Sequence, residues 1–98
     1  MAAVIKWNRA AIKQFDDAIA YIEDDSFANT EKFTRDILHK IDSLLKYPEN
    51  HAPDKYKINN DGTFRAFELH HYRISYRHIR EQVRIIRIRH TKMNPLNY

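Results

Sequence analysis

The amino-acid sequence predicts an α+β fold in the order β-α-α-β-β-β, with an N-terminal strand and an α-helical hairpin packed on a mostly antiparallel sheet. Three observations carry that expectation. In two stretches of the first half, apolar residues recur at steps of three and four, the spacing that lines one face of a helix. In two stretches of the last third, apolar and cationic residues alternate, the period of a half-buried strand. The link between those stretches, "IREQ", is short enough for an antiparallel hairpin.

The elements follow in order. "AVIKW", from Ala3 to Trp7, reads as a short strand, and Asn8 suits a helix N-cap because its side chain can accept from a free backbone N–H. Ile12, Phe15, Ile19 and Ile22 then place an apolar stripe on a helix of roughly residues 9–24. The acidic "EDDS" ends the stripe, with Ser26 as the next cap. Phe33, Ile37, Ile41 and Leu44 form a second stripe that stops at "KYP", where Pro48 restricts Tyr47. "ENHAPDKYKINNDG" reads as loop, with a tight turn at "NNDG" that uses the chain's one glycine. Strands are expected at about 63–68, 71–78 and 83–90. Tyr72, Ile74 and Tyr76 alternate with Arg73, Ser75 and Arg77, and Ile86 and Ile88 with Arg87 and Arg89. One face of the sheet is thus apolar, and the other is a basic surface of Arg73, Arg77, Arg87 and Arg89.

With 98 residues and no repeat or low-complexity tract, the chain reads as one domain over 1–98. Its 43% hydrophobic and 12% aromatic content excludes a disordered chain. The absence of cysteine excludes a disulfide framework or thiolate metal site and is compatible with a reducing cytoplasm. No apolar run has signal-peptide or transmembrane length, so a soluble cytoplasmic protein away from membranes is expected. The net charge of +4 is unevenly placed. Residues 1–64 hold nine Lys/Arg against eleven Asp/Glu, whereas residues 65–98 hold eight against two, Glu68 and Glu81. A field concentrated in the last third favours anionic partners such as RNA, DNA or an acidic protein segment.

Arginine suits phosphate because its planar fork donates two parallel hydrogen bonds and stays charged. The same residues also serve a solvated face that keeps a sheet edge unpaired. His90, Lys92 and Tyr98 follow the last strand. Cleaving RNA without a metal needs a base, an acid and a cation at the phosphate, and Arg73, His90, Lys92 and Tyr98 supply those residue types. Strict alternation, however, puts His90 on the core side with Ile88. Arg65 in "TFRAFE" could reach the surface of Arg73 or pair with acids such as Glu68. His70 and His71, as neighbours on a strand, would point to opposite faces, so no metal site is expected. No nucleotide-binding loop or hydrolase motif occurs, and no cofactor is expected.

Taken together, "VIKW", "AIAYIEDDS", "FTRDILHKIDSLLKYPE", "RAFELHHYRISYR" and "VRIIRIRHTKMNP" resemble the RelE/ParE superfamily of toxins over nearly the whole chain. The resemblance implies the toxin of a type II toxin–antitoxin module, of the kind that stabilises plasmids, neutralised by a cognate antitoxin in a hetero-oligomer. It implies two targets. In a RelE-like mRNA interferase acting on the ribosome, Arg73 would stabilise the transition state, Arg65 and Lys92 would hold phosphates, and His90 or Tyr98 would move protons. In a ParE-like inhibitor of DNA gyrase, the same arginines, including Arg77, Arg87 and Arg89, and the C-terminal tail would contact protein. The strand before "YRISY" carries only Arg65 where RelE has paired lysines, and the "YIEDDS" hairpin and "RHTKMN" ending are closer to ParE. The sequence therefore leans to gyrase, with the ribosome and its mRNA as the alternative and a non-toxic nucleic-acid-binding module as a third reading.

Overall fold

The computed structural model describes residue 2 and residues 4–98. Its elements are β1 (Val4–Trp7), α1 (Arg9–Glu23), α2 (Phe27–Asp42) with a 3-10 turn at Ser43–Leu45, β2 (Phe64–Leu69), β3 (Tyr72–Ile79) and β4 (Gln82–His90). Each expected element is present to within a residue or two, although Ala3, the expected first residue of β1, lies outside the described residues. The sheet is open and mixed, in the order β1-β4-β3-β2, with β1 parallel to β4 and the other pairs antiparallel.

Local chemistry sets the helix boundaries. Ser26 caps α2 through its side chain, which accepts the Asn29 N–H at 3.2 Å. Asn8 stands at the N-cap of α1 but makes no cap bond; its Oδ1 instead accepts from Arg84 Nη1 at 3.1 Å, across to β4. The α1 stripe is also shifted from the expected one. Ala11, Phe15 and Ala18 are buried, while Ile12 is 49% exposed. Two alanines let α1 lie close to β4, where a larger side chain would hold it off. Beyond Ile85 the β1 side of β4 has no strand neighbour, and Gln14 Oε1 accepts the Ile88 N–H at 2.7 Å.

The core lies between the helices and one sheet face. Trp7, Phe15, Phe33 and Tyr72 form a chain of tilted rings with centroids 5.5, 5.9 and 5.1 Å apart, linking β1, α1, α2 and β3. Tyr76 is fully buried, and its hydroxyl donates to the Pro48 carbonyl at 2.7 Å, tying the loop after α2 to the sheet. Burial pushes the Tyr76 phenol up to about 12, so it remains a donor. Tyr76→Phe removes that donor and leaves a carbonyl unmet, and is expected to cost about 1–2 kcal/mol in urea denaturation. A loss below a few tenths would mean that Pro48 finds another partner.

A β-bulge corrects the expected alternation in β4. Ser75 pairs with Arg87 but Tyr76 with Ile85, so Ile86 is an extra residue between two paired positions. Ile85 and Ile88 therefore both face the core, where the alternation had put Ile86 and Ile88. Arg84, opposite Arg77, joins the arginine face together with Arg87 and Arg89.

Candidate functional site

The face of the sheet away from the helices is not the bare basic surface that the sequence suggests. The loop from Asp54 to Thr63 and residues 91–98 lie over it, and Ser75, between Arg73 and Arg77, is only 1% exposed. The centre of the cover is Asp54, whose side chain is fully buried. Its Oδ1 accepts from Arg73 Nη2 at 2.9 Å and from the Tyr56 N–H at 3.1 Å, and its Oδ2 accepts from the Tyr98 hydroxyl at 2.6 Å. Burial pushes the Asp54 carboxyl up, but hydrogen bonds from Tyr98, Arg73 and Tyr56 outweigh it and hold the group below its ordinary range. The Tyr98 phenol moves the other way, raised by burial and by its bond to Asp54.

Each arginine of this face is engaged. Arg73 bonds Glu68 Oε2 at 3.1 Å as well as Asp54 and lies 4.9 Å from the Tyr56 ring centre. Burial alone would lower its pKa, but the two carboxylates leave it raised. Arg77 donates to Thr63 Oγ1 and Asp61 and packs over Phe64. Arg87 stacks on Tyr98 at 4.1 Å, and Arg89 donates to the Asn94 carbonyl at 2.8 Å. The backbone of Tyr98 joins this cover, donating to the Tyr56 carbonyl and accepting from Ile58.

The other sequence-derived candidates lie elsewhere. His90 pairs with Tyr72 and faces the helices, while Arg73 pairs with Arg89 and faces away from them. The His90 ring meets Tyr72 edge-on at 4.9 Å, and its Nδ1 accepts the Lys92 N–H at 3.0 Å. It borders a groove of about 660 Å³ between the end of the helical hairpin and the β2–β3 turn. Arg65 is opposite Tyr76 and so projects from the core face rather than reaching Arg73; its Nη1 donates to the His51 carbonyl at 2.6 Å. Lys92 is exposed beside a second groove on the α1 side of β4. His70 and His71 form the two-residue turn between β2 and β3, at φ of 50° and 67°, rather than part of a strand. His70 Nε2 lies 2.7 Å from Asp36 Oδ2, and the hydrogen bond from His70 holds the Asp36 carboxyl below its ordinary value.

Sequence reasoning missed Asp54, Tyr56 and the enclosure of Ser75. Asp54 and Tyr56 sit in a loop with no periodicity to mark them. Ser75 did carry a signal, as the one small residue between two arginines of one strand face.

A family model described as "ParE toxin of type II toxin-antitoxin system, parDE" matches residues 5–95. Comparison with curated proteins gave no match. Among solved structures, one described as the chromosomal ParDE TA system from P. aeruginosa is similar, with a TM-score of 0.70 over 94% of this chain and 97% of that one. The two are 19% identical in sequence, a likeness of fold.

Proposed function

The chain belongs to the ParE toxins of type II toxin–antitoxin systems, and from that membership we propose that it arrests growth by binding and poisoning DNA gyrase, not by cleaving mRNA. The observation that supports this reading is the register of β3 against β4, which sets His90 on the helix face and Arg73 on the other. Metal-free RNA cleavage needs a base, an acid and a cation gathered around one phosphate. Here the cation is held by two carboxylates, the histidine is across the sheet, and the Tyr98 hydroxyl donates to Asp54. Those contacts suit a rigid docking surface better than a proton relay. The resting partner is a cognate antitoxin, and toxin and antitoxin would meet in the cytoplasm as a hetero-oligomer. No helix among the described residues is long and apolar enough to cross a membrane.

The test is a gyrase supercoiling assay alongside primer extension on mRNA in a bacterial translation extract. Supercoiling is expected to fail in the presence of the toxin while mRNA stays intact, and His90→Ala is expected to change gyrase inhibition by less than about threefold, a free-energy change under 1 kcal/mol. Cleavages within codons that disappear in His90→Ala would overturn the reading in favour of the ribosome.

A further inference from the structure

Beneath residues 91–98 lies a small pocket of about 50 Å³, floored by Arg73, Ser75, Arg87 and Arg89 and closed by Tyr56 and Met93. Three polar atoms of its floor are buried without a hydrogen-bond partner: Arg73 Nε, Ser75 Oγ and Arg89 Nε. The Ser75 hydroxyl is near enough to Asp54 and Tyr98 to lower the pKa of both, yet it meets neither in full hydrogen-bond geometry. Guanidinium nitrogens only donate, and a hydroxyl can donate, so the three orphans share one unmet need, an acceptor. Leaving buried donors unmet is costly, and three around a single pocket point to an occupant.

Charge narrows what that occupant is. Both nearby carboxylates, Asp54 and Glu68, are spent on Arg73. Arg87 and Arg89 have no acidic partner among the described residues, and burial together with repulsion from Arg89 and Arg73 leaves the Arg87 pKa lowered despite the opposing pull of Tyr98 and Asp54. The pocket thus holds more positive than negative charge. A single water needs about 10–15 Å³ of such space, so the pocket has room for a few waters or one compact oxyanion and not for a nucleotide. Glu68 stands at the rim, where its carboxylate disfavours a polyanion running across the opening.

We propose that this pocket binds one small oxyanion, inorganic phosphate or sulfate, through Arg73, Ser75 and Arg89, and that the ion fastens the 91–98 segment to the sheet. The assignment does not rest on the gyrase reading. It also differs from a nucleic-acid surface, because the chain's own residues close over the ion.

The test is calorimetric titration of the full chain with inorganic phosphate, with ionic strength held constant by chloride. Calorimetry is the better readout because phosphate and sulfate stabilise proteins generally, by exclusion from their surfaces. One saturable site is expected. Ser75→Ala and Arg89→Gln should each weaken it about tenfold, the loss of one hydrogen bond to a charged group, while both variants still unfold cooperatively. A dinucleotide joined by a single phosphodiester should not compete. No saturable heat, binding equal in wild type and both variants, or displacement by the dinucleotide would each overturn the proposal, the first in favour of water and the last in favour of an open phosphate-binding face.

Discussion

Replacing Asp54 by alanine is expected to lower the unfolding free energy by about 2–4 kcal/mol, a large part of the 5–15 kcal/mol that holds a domain of this size together. Removing one member of a buried ion pair commonly costs about 3–5 kcal/mol, because the remaining charge is stranded. The expected loss is smaller because Arg73 keeps Glu68 and its side chain is 15% exposed. Against that, the Tyr98 hydroxyl and the Tyr56 N–H lose their acceptor. Urea denaturation measures the change directly, and a loss below about 1 kcal/mol would mean that water replaces the carboxylate at no great cost.

Asp54→Asn adds a pH signature. The folded pKa of Asp54 lies below the ordinary 3.8. Its contribution is therefore complete above that value and is lost as pH falls through the folded pKa. His51 acts at higher pH. Burial, and then the charges of Lys40 and Arg65, hold its pKa below the ordinary 6.5. The stability tied to neutral His51 is present above 6.5 and declines as pH falls from there towards its folded pKa. Wild type should lose stability in both windows. Asp54→Asn should keep the His51 decline and show a flatter acid limb below pH 4. An unchanged acid limb would mean that other carboxylates dominate it.

Alternation and spacing made most of the architecture legible, since a helix stripe and a half-buried strand need only local periodicity. The places where the reading slipped each have a long-range cause. Alternation carried through "RIIRI" puts Ile86 in the core, yet the register shift opposite Ser75 and Tyr76 depends on the partner strand. Ile12 falls on the expected α1 stripe because alanines are poor markers of a buried face, although Ala11 and Ala18 are buried there with Phe15 while Ile12 is exposed. Arg73, Arg77, Arg87 and Arg89 share one face as alternation implies, with Arg84 brought there by the bulge and Arg65 on the opposite face. Their condition was not legible. Whether an arginine meets solvent or a carboxylate was decided by Asp54, a loop residue 19 positions before Arg73 in the chain. Composition could report a surplus of cations in the last third but not that the loop and the tail would fold over them.

Tyr98→Ala tests what that cover does. Tyr98 meets Arg87, Phe64 and Lys57 through its ring and Asp54 through its hydroxyl. Losing a half-buried aromatic ring with these contacts should cost about 2–3 kcal/mol. Tyr98→Phe keeps the ring and should cost about 1 kcal/mol, because Asp54 retains Arg73 and the Tyr56 N–H. The alanine variant should also be cut by protease within residues 91–97 under conditions where wild type and Tyr98→Phe survive, since the segment loses its anchor before the sheet loses its core. With the ring gone, Arg87 is no longer stacked, and non-specific DNA binding should rise with a salt dependence steeper by roughly one counterion per freed cation. If the alanine variant resists protease like wild type, the backbone bonds to Tyr56 and Ile58 and the bond from Arg89 to the Asn94 carbonyl are enough to hold the segment down. If protease cuts it but DNA binding does not rise, the Arg87 charge is balanced from within the fold and the cover serves stability alone.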